Sequence, residues 1–231
     1  MQMVWLVGLL GCGSSSVEDT AAGSQVDDTA ETAAMVSARL TLLDTVSSAP
    51  IGGVSVSTDS ESGQTDENGQ VQLNVSANAP FALTADNGDL VHHYVGHSAE
   101  QDLSMIGFLA STAITNQVYG MLGLSMNNEK GIVVAAIDLT DLSPAYGAAA
   151  ALDVSNDGSF VFGTTVPVSG DTLIDGGSSV VFFPNVEPGA ATISVTPPDG
   201  LQCGLIDTGE DSFTVDVVAG EVTVAVFICD A

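Results

Sequence analysis

Asp44, Pro50 and Gly53 are spaced six and then three residues apart, and the same three types recur at the same spacing as Asp138, Pro144 and Gly147. Aspartate accepts backbone hydrogen bonds in a turn, proline presets φ, and glycine tolerates positive φ, so a repeated frame of the three repeats a chain reversal. Each set leads into a strand-like run, Val54 to Ser57 and Ala148 to Leu152. Further on, Asn74-Val75 and Asn185-Val186 each precede another such run by the same interval, Phe81 to Ala85 and Thr192 to Thr196, with the second frame stretched by 17 residues. Agreement of two spacings points to a duplicated unit.

Each unit reads as β. Apolar and polar residues alternate in Ala38 to Leu43, Val54 to Ser57, Val71 to Val75, Thr192 to Val195, Phe213 to Val215 and Val222 to Phe227, the period of a strand with one face buried. Turn signals separate the runs: Asp66-Glu67-Asn68-Gly69, Asn87-Gly88, Asn156-Asp157-Gly158, Asp175-Gly176-Gly177 and Ala219-Gly220. Many short strands with regular turns predict an all-β chain of sandwiches with half-buried sheets.

The stretch Pro50-Ile51-Gly52-Gly53-Val54 followed by Thr65-Asp66-Glu67-Asn68-Gly69-Gln70-Val71 resembles the carboxypeptidase regulatory-like, or prealbumin-like, domain. The second unit is similar through Pro144, Gly147, Asn185-Val186, Pro188 and Gly189, with Ile174-Asp175-Gly176-Gly177 in place of the threonine-aspartate turn. The resemblance covers most of residues 36 to 95 and 131 to 231. It implies an all-β fold of two immunoglobulin-like or prealbumin-like sandwiches, each of seven or eight strands and here joined by one helix, used as an accessory or binding module with no catalytic residues to carry over.

At the N-terminus, Val4 to Leu10 are uncharged and mostly apolar, and Leu9-Leu10-Gly11-Cys12 resembles the lipobox of bacterial lipoprotein precursors. The run is too short to span a bilayer but long enough for the core of a signal peptide, although Met1, Gln2 and Met3 supply no basic residue. Cleavage before Cys12 leaves its thiol to carry lipid, and multiple acyl chains give stable anchoring. Residues Gly13 to Ala34 are small, polar and acidic, with Val17 and Val26 the only large aliphatics. Such a segment buries too little surface to offset its ordering entropy, so it is expected to be an extended, self-repelling tether. The expected plan is a signal peptide over 1–11, a lipidated cysteine and acidic tether over 12–35, a sandwich over 36–99, a helical connector over 100–128 and a second sandwich over 129–231.

The connector is expected from Ile106, Leu109, Ala110, Ala113, Ile114, Val118, Met121 and Leu122, which recur at three and four residues within Asp102 to Met126, with Asp102 or Ser104 as cap. Asn116-Gln117 at its centre and its Ser and Thr hydroxyls argue against membrane insertion. A helix packed on a sandwich is the expected arrangement, because a unit of about 60 residues is marginal alone.

The chain carries 29 acids against Arg39 and Lys130, a formal net charge of −27. That excludes nucleic acids as partners, since phosphate binding needs Lys and Arg to displace counterions. A high-salt habitat, capture of divalent cations, and drift in an exported protein all fit the deficit of bases. With Cys12 assigned to lipid, Cys203 and Cys229 remain, and in an oxidising compartment they can form a disulfide. Two buried free thiols are the alternative; a two-cysteine metal site lacks the short ligand spacing.

Chemistry-bearing clusters are few. All three histidines, His92, His93 and His97, lie within six residues, near Asp89 and Glu100. Imidazoles ligate zinc or copper, and on a strand His92 shares a face with Tyr94 while His93 faces the other way. Asp153, Ser155, Asp157 and Gly158 copy the start of a calcium loop, but Thr164 stands where the bidentate glutamate belongs. Gly123-Leu124-Ser125-Met126-Asn127 approaches a hydrolase elbow without its last glycine. No cofactor and no enzymatic activity are expected. The sequence points to a lipid-anchored envelope lipoprotein, at the outer membrane of a Gram-negative bacterium, acting as a structural or binding module for a protein or glycan. The alternative is a lipoprotein binding zinc, copper or calcium.

Overall fold

The computed structural model describes residues 34–98, 102–163, 166–205 and 210–230. The expected signal peptide, Cys12, most of the expected tether, Glu100 and Thr164 lie outside these described residues. The first half contains β1 (Met35–Asp44), β2 (Ser55–Ser57), β3 (Ser62–Gln64), β4 (Gln70–Ser76), β5 (Pro80–Asp86), β6 (His92–His97) and β7 (Leu103–Leu109). Helix α1 (Thr112–Met121) follows. The second half contains β8 (Gly131–Leu139), β9 (Ala149–Leu152), β10 (Phe160–Phe162), β11 (Pro167–Ser169) and β12 (Val180–Val186), then β13 (Gly189–Thr196), β14 (Gln202–Leu205), β15 (Ser212–Val217) and β16 (Val222–Asp230).

The two halves repeat one pairing scheme. In the first, β1 lies between antiparallel β4 and parallel β7, with Leu40 opposite Val71 on one side and Met105 on the other. In the second, β8 lies between antiparallel β12 and parallel β16, with Val133 opposite Phe183 and Thr223. Facing these, β5 is antiparallel to β2 and β6, and β13 is antiparallel to β9 and β15. Both turn frames are closed by a bridge to the proline, Leu43 to Pro50 and, one frame position later, Asp138 to Pro144. The stretch of the second frame accommodates the β10–β11 hairpin, which extends the sheet beyond β12.

The motif residues of the first frame have identifiable work. Thr65 Oγ1 donates to Ile51 O at 2.7 Å and accepts from the Val54 amide at 3.0 Å, tying the proline turn to the threonine-aspartate turn. Asp66 accepts from the Asn68 and Gln70 amides, both at 2.9 Å. Gly69 closes that turn at φ +71°, where a Cβ would strike the Leu42 carbonyl. In the second half the Ile174-Asp175-Gly176-Gly177 turn stands in the same place before β12, closed by the Gly177 amide on Ile174 O at 3.0 Å.

The two halves share a sheet. β16 pairs in parallel with β6, Val222 opposite His92 through Ala225 opposite Val95, so a ten-stranded sheet runs through both. Successive strand residues point to opposite faces. Tyr94 therefore enters the first core while Val95 enters the second; likewise Val224 and Val226 pack on the first, whereas Ala225 and Phe227 belong to the second. One shared sheet thus carries a core on each face, with β4-β1-β7 covering one and β15-β13-β9 the other.

The helix expected across Asp102–Met126 is corrected by the structure. Leu103–Leu109 is strand β7, alternating buried and exposed, and only Thr112–Met121 is helical. Leu103, Met105 and Leu109 fit a period of two as well as the helical one, and pairing with β1 decides between them. Gly107 belongs to this strand for a packing reason: a Cβ there would lie 2.6 Å from the Tyr94 ring, whose hydroxyl donates to Phe108 O at 3.0 Å. The cap is Ser111, not Asp102 or Ser104; its Oγ accepts from the Ile114 amide at 3.3 Å. No helix among the described residues is long and apolar enough to cross a membrane.

Candidate functional site

Strand β6 separates the histidines by face, and each described partner is structural. His92 is 2 % exposed. Its Nδ1 donates to Leu90 O at 3.0 Å and its Nε2 accepts from the Ala110 amide at 3.3 Å, stitching β6 to the chain that enters α1. His93, on the opposite face, has Nδ1 3.0 Å from Thr84 Oγ1 and Nε2 against the Glu221 carboxylate. Nδ1 of His97 is buried with no partner among the described residues. Asp89 accepts from the Thr112 amide at 2.9 Å, placing a negative charge at the helix N-terminus. Among the described residues no three His, Cys, Asp or Glu side chains gather as a metal site would require.

The acidic loop after β9 is likewise engaged. Asp153 accepts from the Thr192 amide at 2.7 Å, and Asp157 accepts from Asn185 Nδ2 at 2.7 Å. Asn185 is the hub here: its Nδ2 also donates to Ser125 O, its Oδ1 accepts from the Asn127 amide, and its own amide donates to Tyr119 Oη. Ser125 therefore belongs to a loop pinned by its carbonyl. Lys130 Nζ donates to Glu187 at 2.8 Å. Cys203 and Cys229 sit directly opposite in the β14–β16 pair and form a disulfide.

The feature that sequence reading missed is a cleft of about 530 Å³ beside the shared sheet. Its floor is the part of β8 and β16 on the same side of the sheet as the first core, formed by Ile132, Val134, Ala136, Val222 and Val224, with Asp138 at the end of the β8 row. Ile106 and Phe108 of β7 and Ile114 and Val118 of α1 form the walls. A cleft of this size, mostly apolar with a few polar groups, has the general form of a small-molecule site. The signal was present in β8: Ile132 to Ile137 is apolar without alternation, the mark of a strand covered on both faces, and Asp138 ends the run.

Two ionisable groups in this cleft are perturbed in ways that oppose each other. Burial lowers the His92 pKa from 6.5 to about 4, against the opposing pull of its bond to Leu90. Burial raises that of Asp138 from 3.8 to about 6, offset in part by a hydrogen bond from Ser179. The folded state refuses a proton at His92 that the unfolded chain accepts, so this stability is present above pH 6.5 and lost as pH falls toward 4. Asp138 has the reverse sign: the folded state holds a proton longer, so its stability is present below 3.8 and lost as pH rises through about 6. Asp138→Asn keeps the Ser179 partner and removes the buried charge. It is expected to unfold about 1–2 kcal/mol less readily than the parent at pH 7.5, a figure discounted for the partial exposure of Asp138. The gain should vanish near pH 4, which urea denaturation of both proteins across that range measures; an equal difference at both ends would refute the assignment.

No protein-family model matches the chain, and no curated protein sequence matches it. Among solved structures it is similar to the TIE protein of Bacillus anthracis, at 12% identity and a TM-score of 0.27, over 85% of this chain and 34% of that one. The chain thus spans about a third of the length of TIE. It is also similar to GBS52, the minor pilin of Streptococcus agalactiae, at 9% identity and TM-score 0.30, over 84% of this chain and 94% of that one. A third similarity is to the shaft pilin SpaA of Lactobacillus rhamnosus GG, at 10% identity and TM-score 0.24, over 87% and 99% of the two chains. Likenesses this weak carry no argument about what the chain does.

Proposed function

We propose that this protein is a non-catalytic module of the cell envelope, held at a membrane by lipid on Cys12 and by the acidic tether of residues 12–35, and presenting its sandwiches to an envelope protein or glycan. The observation that carries this reading is the conjunction of Leu9-Leu10-Gly11-Cys12 with a disulfide between the two remaining cysteines. All three cysteines are then accounted for by export: one takes lipid, and two oxidise in a compartment that permits it. The side chains that most resembled chemistry support it too. Both nitrogens of His92 and of His93 already have partners, and Asp153 and Asp157 hold backbone and Asn185 in place. The shared ten-stranded sheet gives such a module one continuous body instead of two beads on a string.

Expression of the full chain in a Gram-negative host with labelled palmitate provides the test. The parent is expected to take up label and sediment with outer membranes, and Cys12→Ser is expected to lose both while keeping its far-UV circular dichroism. An unlabelled parent would remove the lipoprotein reading.

A further inference from the structure

We propose that the cleft between the shared sheet, β7 and α1 binds a single-chain amphiphile bearing one ammonium head, with the carboxylate of Asp138 as its anchor. The shape supports a chain. The β8 floor runs from Ile132 to Asp138, six residue steps or roughly 20 Å of strand. A cleft of about 530 Å³ drawn out along that length has room for an extended hydrocarbon lying along the β8 row. Its walls and floor, including Ile106, Phe108, Val118 and Val134, offer apolar contact along the way.

The charges select the head group. Polar groups gather at the Asp138 end: Ser179 hydrogen-bonds the carboxylate, and Ser178, which also lines the cleft, has a buried Oγ with no partner among the described residues. Neither of the chain's two bases lines the cleft, and one of them, Lys130, is paired with Glu187. A carboxylate ligand would therefore meet an acid with no cation to offset it, whereas an ammonium supplies the missing opposite charge and donors for the Ser178 hydroxyl. At the other end His92 has both nitrogens engaged, so it offers no competing anchor. The net charge of −27 adds a field that concentrates cations near the surface.

The test uses the purified full chain at pH 8 with dodecylamine, dodecanol and laurate, each below its micelle concentration, in titration calorimetry at roughly physiological salt. Dodecylamine is expected to bind at one site and at least tenfold more tightly than dodecanol, with laurate weaker still. Asp138→Asn is expected to lose at least tenfold in dodecylamine affinity. Ala136→Phe, which fills the floor and keeps the acid, should abolish binding. Equal affinity for the three probes would mean an apolar slot without head-group selection and would overturn the proposal. Unchanged affinity in Asp138→Asn would do the same, since removing one of 29 acids leaves general surface association intact. Failure of dodecylamine to bind would equally overturn it.

Discussion

Replacing Asn185 with leucine is expected to destabilise the protein by about 4 kcal/mol or more, a large share of the ~5–15 kcal/mol that holds a domain folded. Asn185 is 4 % exposed and occupies the left-handed region at φ +51°, where the register of β12 against β8 shifts. Asparagine tolerates that backbone; a leucine there costs about 1–2 kcal/mol. The larger loss comes from the side chain. Its amide reaches Ser125 O at 3.0 Å, the Asn127 amide at 3.0 Å and Asp157 at 2.7 Å, holding the loop after α1 against the loop after β9. Leucine fills the volume but leaves these groups without their partner, at about 1–3 kcal/mol each where they stay buried. Asn185→Gly relieves the backbone strain and loses the same bonds, but leaves a cavity and a freer unfolded chain, so it too is expected to be destabilised. Equilibrium denaturation supplies both numbers, and a loss below about 1 kcal/mol for the leucine variant would show that the hub is dispensable.

Reduction of the Cys203–Cys229 disulfide is the second large effect. The bridge closes a loop of sequence separation 26, for which the chain-entropy estimate is about 3.5 kcal/mol. Both cysteines are buried, and among the described strands β14 pairs with β16 alone, so the bridge also fastens that strand where it pairs. The expected result for Cys203→Ala/Cys229→Ala is a loss of about 3 kcal/mol and a fall in Tm on the order of 10 °C. Amide exchange should rise in Gln202–Leu205 before it rises in β8. An unchanged denaturation midpoint, with thiol trapping proving both cysteines free in a reduced parent, would show that sheet pairing suffices without the bridge.

Legibility in the sequence followed the range of the interaction. The Asp-Pro-Gly frames, the Thr65-Asp66 turn and Gly69 are local devices whose chemistry acts within a few residues, and they stand where their spacing placed them. Leu103 to Leu109 reads as helix in the sequence because its apolar residues satisfy two periods at once, and the arbiter, β1, lies some 60 residues away in the chain. The histidine cluster looked like a ligand set because three imidazoles are close in sequence. On a strand, adjacent residues point to opposite faces, so His92 and His93 face apart.

By itself the sequence determined the class and the repeat: alternation set which strand faces are buried, and turn residues set where the chain reverses, because both are properties of a short stretch in water. The two cysteines were legible as a candidate pair for the same reason of simple count and context. Only the tertiary structure decided that β16 joins β6, making one sheet serve two cores, and that this union leaves a cleft with Asp138 at its end. Parallel pairing between strands more than 100 residues apart carries no local signature. It is selected by the full burial of one face of β8 and β16 and the partial burial of the other, and that selection is made only when the whole chain has packed.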